Sequence, residues 1–115
     1  MDIATKLQLK PGQSVCVVNA PSAFSLPGLP VAGADDADMV IGFAVMRVDV
    51  SRLSAVVAAA LTDRLAWVGY PKGGKLGTDL NRDRLADALA TKGIQPVRQV
   101  AIDDTWSALR FRPAS

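Results

Sequence analysis

Three short apolar runs are the sequence feature that most constrains the fold of this chain. They cover residues 14–19, 39–45 and 65–70, and each is nearly continuous instead of alternating with polar residues. Such a run is typical of a strand covered on both faces, as in a parallel sheet flanked by helices. We therefore expect three strands of one buried sheet, with the third lying centrally.

The segments between these runs predict two helices. Apolar residues with helical spacing indicate an amphipathic helix over residues 51–62, with Asp49 or Ser51 as its N-cap. A second helix is expected over residues 81–92, capped by Asn81 and followed by Gly93. The three prolines of residues 20–38 leave room for at most one helical turn, around residues 22–26.

The end of the chain predicts a hairpin. Apolar runs at residues 97–102 and 108–111 flank a polar turn, and arginines alternate with Leu109 and Phe111 as on a strand with one solvated face. Taken together, the order of elements predicts a single α/β domain over residues 1–115. We expect a small Rossmann-like mixed sheet of about five strands, mostly parallel with an antiparallel C-terminal strand, flanked by helices.

Composition excludes several classes of chemistry. The chain has no histidine, and all 11 acidic residues are aspartates, so Ser-His-Asp catalysis, glutamate acid/base pairs and histidine metal sites are excluded. We expect no bound metal. Cys16 is the only cysteine, so no intrachain disulfide is possible, and its apolar surroundings predict a buried structural thiol.

Charge and hydropathy indicate the compartment and the class of partner. The net charge is +2, but lysines and arginines are scattered among aspartates, so nucleic-acid binding is not expected. The longest apolar run is far shorter than the ~20 residues that cross a bilayer, and the N-terminal residues lack the pattern of a signal peptide. We expect a cytoplasmic protein with no membrane contact.

Candidate ligand-binding residues follow the predicted strands. Ligands of parallel sheets bind beyond the carboxyl ends of the strands, where loops and helix N-termini converge. Three segments are predicted at that edge, and the lysines and glycines of the middle one could receive a small anion. The candidates are Asn19 and Pro21; Tyr70, Lys72, Lys75, Thr78 and Asp79; and Asp103, Asp104, Trp106 and Ser107.

Each candidate also has a purely structural interpretation. The lysine loop could be an exposed loop with solvated side chains, and its glycine spacing does not match a P-loop. Asp103 could hydrogen-bond the backbone of its own turn while Trp106 packs on the core. Asn19 and Tyr70 could satisfy backbone groups of their own loops. Trp67, in the middle of an apolar run, is expected in the core.

Three functions therefore stay open at the level of sequence. The first is binding of a small anionic ligand at the carboxyl edge. The second is homo-oligomerisation through an edge strand or an apolar helix face. The third is an enzyme that uses Lys72 with Asp103 or Asp104. The loop after the first strand has no glycine, so we expect no adenosylmethionine or dinucleotide cofactor.

Several motifs together resemble a known family. They are LKPG at residues 9–12, NAP at 19–21, YPK at 70–72, TDL at 78–80 and DDTWSALRF at 103–111. These motifs resemble a family of small bacterial proteins catalogued as a domain of unknown function, and the closing motif is the most specific. The resemblance implies an α/β domain with no established activity. The architecture is also similar to the C-terminal half of class I methyltransferases, which implies nothing about activity.

Overall fold

The computed structural model describes residues 2–22 and 24–114, which form a five-stranded mixed sheet with layers on both faces. The spatial order is β1-β2-β3-β5-β4. The first three strands are parallel, and β5 is antiparallel to both of its neighbours. The predicted α/β sheet is thus confirmed, with β3 in the centre. The strands are β1 (Val15–Val18), β2 (Met39–Phe43), β3 (Leu65–Pro71), β4 (Ile94–Ala101) and β5 (Trp106–Pro113).

Three α-helices and two 3-10 turns connect the strands: α1 (Ile3–Lys6), the turn Arg47–Arg52, α2 (Ser54–Leu61), the turn Lys75–Gly77 and α3 (Arg82–Ala90). None of the helices in the described ranges is long and apolar enough to cross a membrane. Asn81 caps α3 as predicted, because its side chain accepts a hydrogen bond from the Arg84 N–H at 2.8 Å.

The predicted N-cap of the first long helix is wrong. The chain forms the separate 3-10 turn before α2 begins, so the cap position falls on Leu53, whose side chain makes no capping hydrogen bond. Asp49 instead accepts hydrogen bonds from the N–H groups of Val45 and Met46, at the start of that turn. Ser51 donates to the Val48 carbonyl within the same turn.

Helices α2 and α3 cover one face of the sheet. Leu53, at the N-cap of α2, and Val56, within it, are fully buried there, as are Leu85 and Leu89 of α3. The helix lies so close to β2 that a Cβ atom on Gly42 would meet Leu53 Cδ2 at 2.7 Å and Val56 Cγ2 at 2.8 Å. A glycine at this position therefore sets the distance between the helix layer and the sheet.

The N-terminal helix α1 and the irregular segment before β2 cover the opposite face. Trp67 is fully buried in this layer, as predicted, and its indole Nε1 donates to the Leu7 carbonyl at 3.0 Å. That bond fastens the N-terminal segment to the centre of the sheet. The helical turn predicted around residues 22–26 includes residue 23, which lies outside the described residues.

Strand β1 departs from the prediction that it is covered on both faces. It lies at the edge of the sheet, and α2 packs over β2 and β3. Val15 is buried, but Val17 is 40% exposed and Cys16 is only half-buried, so the expected buried thiol is wrong. An apolar run cannot distinguish an edge strand from a central one, because burial at the edge depends on which elements happen to cover it.

Candidate functional site

A cleft of about 280 Å³ lies beyond the carboxyl ends of β1 and β2, and we call it the carboxyl-edge cleft. It brings together three of the predicted candidates, Asn19, Pro21 and Trp106, from opposite ends of the chain. It also contains two charged residues that sequence reasoning did not select for a site. Its lining residues are Asn19, Ala20, Pro21, Phe43, Val45, Asp49, Arg52 and Trp106.

Aromatic rings form one wall of this cleft. The centroid of the Phe43 ring lies 4.7 Å from that of Phe24 and 5.4 Å from that of Trp106, the latter pair edge to face. Gly69 is paired with Phe43 across the strands, and a Cβ atom there would lie 2.5 Å from the Phe43 ring. The Phe43 ring therefore occupies space that is free only because residue 69 is a glycine. Close packing fixes the position of the ring in the wall of the cleft.

A carboxylate and a guanidinium form the polar side of the cleft. Asp49 accepts hydrogen bonds from the N–H groups of Met46 at 3.0 Å and Val45 at 3.1 Å. The bond from Met46 is the main cause that lowers the pKa of Asp49, and the bond from Val45 and the charge of Arg52 act in the same direction. Asp49 is therefore an ionised group in a fixed position.

Arg52 is held only loosely. Its Nη1 lies 3.8 Å from Asp49 Oδ1, and its side chain is 69% exposed. An exposed ion pair at this distance contributes little to stability. Most of the five guanidinium donors are therefore free to bind an anion. The sequence pattern marked Asp49 only as a possible N-cap of the following helix, and it gave no indication of the 3-10 turn that places Arg52 at the same cleft.

The lysine loop lies against the final turn, as expected, but outside the cleft. Lys72 N donates to the Thr105 carbonyl at 2.8 Å, and Lys75 Nζ donates to the Asp104 carbonyl at 2.7 Å. Neither lysine is among the residues that line the carboxyl-edge cleft. The lysine loop and the final turn are therefore hydrogen-bonded to each other, and the Lys75 ammonium already has a carbonyl acceptor.

Asp103 organises its own turn. Its Oδ1 accepts hydrogen bonds from the N–H groups of Thr105 and Trp106, both at 2.8 Å. This arrangement is an Asx turn, and it orients Trp106 at the start of β5. Asp104 is exposed, and the structure gives its carboxylate no hydrogen bond within the described residues.

Thr78 and Asp79, the candidates in the loop after β3, do not line the cleft but form hydrogen bonds to the segment next to it. Thr78 Oγ1 donates to the Val45 carbonyl, and Asp79 Oδ1 accepts from the Arg47 N–H at 2.7 Å. Both bonds fix the segment that carries Asp49 and Arg52.

Tyr70 and Ser107 are buried next to each other in the sheet, as a cross-strand pair of β3 and β5. The Tyr70 hydroxyl accepts a hydrogen bond from Gln99 at 2.9 Å, and burial raises the pKa of Tyr70. These two side chains lie on the α2 and α3 side of the sheet, whereas Trp106 packs on the opposite side.

Fold and cleft together define a small α/β domain with a mixed sheet and a cleft at its carboxyl edge. No family model matches the chain, and no curated protein matches it. Among solved structures it is similar to LepI, in the structure of LepI in complex with SAM, with 13% identity and a TM-score of 0.49. The match covers 96% of this chain but only 39% of LepI. At this identity and TM-score the likeness assigns no activity to the chain.

Proposed function

We propose that this chain is a small-ligand-binding domain, that the carboxyl-edge cleft is its site, and that its ligand is a small anion with an aromatic or apolar body. The observation that carries the proposal is the position of Arg52. Its exposed guanidinium lies at a cleft whose wall is formed by Phe43 and Trp106. Ligands of parallel sheets also bind beyond the carboxyl ends of the strands, which is where this cleft lies.

The size and lining of the cleft restrict the ligand. Its volume of about 280 Å³ lies just below the ~300–1,000 Å³ typical of ligand pockets, which favours a molecule with a single ring. The ring would pack on Phe43 and Trp106, and an anionic group would accept hydrogen bonds from Arg52. Asp49 is already compensated by its two backbone donors and by Arg52. The anionic group of the ligand would therefore bind the side of Arg52 that faces away from Asp49.

The same lining favours binding over catalysis. The described side chains around the cleft include no hydroxyl, thiol or amine nucleophile, and the hydrogen bonds that lower the pKa of Asp49 make its carboxylate a weak general base. The alternative of an enzyme that uses Lys72 with Asp103 or Asp104 is disfavoured, because the Asp103 carboxylate already accepts two backbone N–H groups and the Asp104 carboxylate is exposed outside the cleft. We also propose that the chain belongs to the family of small bacterial proteins that its motifs resemble, and that it is cytoplasmic.

Replacing Arg52 by alanine is expected to weaken binding of benzoate about fivefold, because an exposed ion pair contributes about 1 kcal/mol. Benzoate is a suitable probe because it combines one ring with one carboxylate. Binding would be followed by the indole N–H signal of Trp106 in NMR spectra during a benzoate titration. Benzyl alcohol, which has the ring but no charge, should bind wild type and Arg52→Ala equally.

The matched control is the double variant Lys72→Ala and Lys75→Ala, which removes two cations at the same edge but outside the cleft. It should bind benzoate like the wild type. If this variant loses binding while Arg52→Ala keeps it, the anion site is the lysine loop. If no probe shifts the Trp106 signal, the proposal is wrong.

Self-association through the outer face of α2 is the second candidate function. Ser54–Leu61 carries no charged residue, Val57 is only half-buried and Leu61 is 50% exposed. A two-fold contact sets a surface against itself, so a charge at its centre would meet an identical charge. An uncharged helix face avoids that repulsion. A second copy of the chain is therefore the partner that suits this face.

The two edges of the sheet are less suited to association. The outer side of β1 is partly covered, because Val15 N donates to the Pro30 carbonyl and Ala32 N donates to the Val15 carbonyl. The edge strand β4 contains Pro96 and a register shift between Pro96 and Arg98. A proline and an irregularity both hinder addition of a further strand.

Sedimentation velocity at several protein concentrations tests this candidate. If α2 is an interface, the wild type should show a concentration-dependent dimer that Leu61→Ser abolishes. Val97→Ser, which changes another exposed apolar side chain on β4, is the matched control and should leave the dimer intact. A wild type that remains monomeric at every concentration excludes self-association through α2.

A further inference from the structure

A second cleft, of about 340 Å³, lies at the opposite edge of the sheet, near the amino ends of β1 and β3. We call it the amino-edge cleft. Within the described chain its lining comprises two cations, two amides and one leucine, and no carboxylate. The lining residues are Gln8, Lys10, Gln13, Leu65 and Arg110.

The two amide oxygens of this cleft are already used. Gln8 Oε1 accepts a hydrogen bond from Arg110 Nη1 at 2.7 Å, and Gln13 Oε1 accepts one from the Lys10 N–H at 2.9 Å. Because an amide side chain carries one carbonyl and one NH₂ group, the groups left over are donors. The position of Gln8 is itself fixed, since the preceding Leu7 carbonyl is bound by the buried Trp67 indole.

Arg110 forms no ion pair with any residue that the structure describes. Its Nε is buried, and no acceptor for it exists among residues 2–22 and 24–114. Its cross-strand neighbours are Trp67 on β3 and Arg98 on β4, neither of which is an acid. The charge of Arg110 acts on Asp63, but the Asp63 carboxylate is bound by Arg112 at 2.8 and 2.9 Å.

A half-buried guanidinium without a counter-ion loses hydration, and the single hydrogen bond to Gln8 replaces that hydration only in part. An anion in the adjacent cleft would offset that loss. Lys10 adds a second positive charge, and it forms no ion pair in the described part of the chain. The cleft thus offers an ammonium, a guanidinium and two NH₂ groups, and its described lining contains no carboxylate.

We propose that the amino-edge cleft is an anion site for a tetrahedral oxyanion, either inorganic phosphate or the phosphoryl group of a small metabolite. Four donor groups around one cleft match an anion with several acceptor oxygens better than a carboxylate, which has two. The site is distinct from the carboxyl-edge cleft and does not depend on the function proposed there. The donors of Arg110 and the two glutamines would select for a tetrahedral oxyanion through hydrogen bonds. The charge of Lys10 would strengthen the attraction of the cleft for that anion.

NMR titration with inorganic phosphate, at an ionic strength kept constant with sodium chloride, tests this site. Phosphate should shift the side-chain NH₂ signals of Gln8 and Gln13 and the Nε–H signal of Arg110. Lys10→Ala should weaken phosphate binding about fivefold, because it removes one charge near the anion. Arg110→Lys, which keeps the charge but loses the planar fork, should weaken it about tenfold.

Matched variants separate this site from the other cleft. Arg52→Ala and Lys72→Ala should leave phosphate binding unchanged, and Lys10→Ala should leave benzoate binding unchanged. Gln13→Ala tests the donor set without touching the partly buried Arg110, and should weaken phosphate binding even if Arg110→Lys fails to fold. Equal losses for Lys10→Ala and Lys72→Ala would indicate nonspecific attraction and overturn the proposal.

The identity of the anion is tested by comparing three probes. Glycerol 3-phosphate that binds more tightly than inorganic phosphate would identify a phosphorylated metabolite, and the reverse order would identify phosphate itself. Acetate should bind more weakly than either. Acetate binding as tight as phosphate, or no shift of the Gln8, Gln13 and Arg110 signals with any probe, would show that the cleft is not a tetrahedral oxyanion site.

Discussion

Replacing Trp67 by alanine is expected to lower the free energy of unfolding by about 3–5 kcal/mol, the range measured for buried large aromatic residues. Trp67 is fully buried in the layer that contains α1, and its indole N–H donates to the Leu7 carbonyl. The alanine variant would leave a cavity and an unsatisfied carbonyl together. Urea unfolding followed by far-UV circular dichroism measures the loss.

Two further variants separate the contributions to this effect. Trp67→Phe retains a ring but removes the N–H donor, and should cost about 1–3 kcal/mol if the Leu7 carbonyl stays buried without a partner. Val31→Ala changes a side chain that is 84% exposed, and should change stability by less than about 0.5 kcal/mol. A Trp67→Ala variant as stable as Val31→Ala would mean that the N-terminal segment does not pack on the sheet.

Replacing Gly69 by alanine is expected to destabilise the fold by about 1–3 kcal/mol, as overpacking of a close-packed core does. The new Cβ atom would lie 2.5 Å from the Phe43 ring, so the ring has to move. Because Phe43 also lines the carboxyl-edge cleft, the benzoate-induced shift of the Trp106 signal should change as well. Thermal unfolding and the NMR titration measure the two effects.

Gly33→Ala is the matched control for this prediction. A Cβ atom at Gly33 meets nothing within 4 Å, and its φ is not positive. The variant should therefore be neutral or more stable by about 0.4–1 kcal/mol. Phe43→Leu should recover part of the loss in Gly69→Ala, with a coupling of at least about 0.5 kcal/mol. Independent effects of the two substitutions would refute the contact.

The main elements of the fold could be predicted from local patterns. Met39–Phe43 and Leu65–Pro71 are strands buried on both faces, as their apolar runs indicate, and Asn81 caps its helix because an Asn side chain suits that position. The closing hairpin follows from two apolar runs around a polar turn. These features depend on residues close together in sequence, so periodicity and turn chemistry are sufficient.

Burial that depends on distant contacts could not be predicted in this way. The exposure of Val17 reflects which elements cover the sheet edge, and the bond from Trp67 to the Leu7 carbonyl joins residues 60 positions apart. In the candidate site, Asn19 and Trp106 were predicted to share an edge and do meet in one cleft. Arg52 was not predicted as a site residue, because its position depends on the 3-10 turn Arg47–Arg52, which the sequence pattern did not predict.

The place of β5 in the sheet has a consequence for synthesis on the ribosome. β5 follows every other strand in sequence but lies between β3 and β4, and β4 pairs with β5 alone. A nascent chain that has emerged only as far as β4 therefore exposes one edge of β3 and the whole backbone of β4. Unpaired strand edges are the sites at which partly folded chains associate. The sheet can close only when residues 106–113 have left the exit tunnel, so the interval before their release is when this protein is most exposed to aggregation.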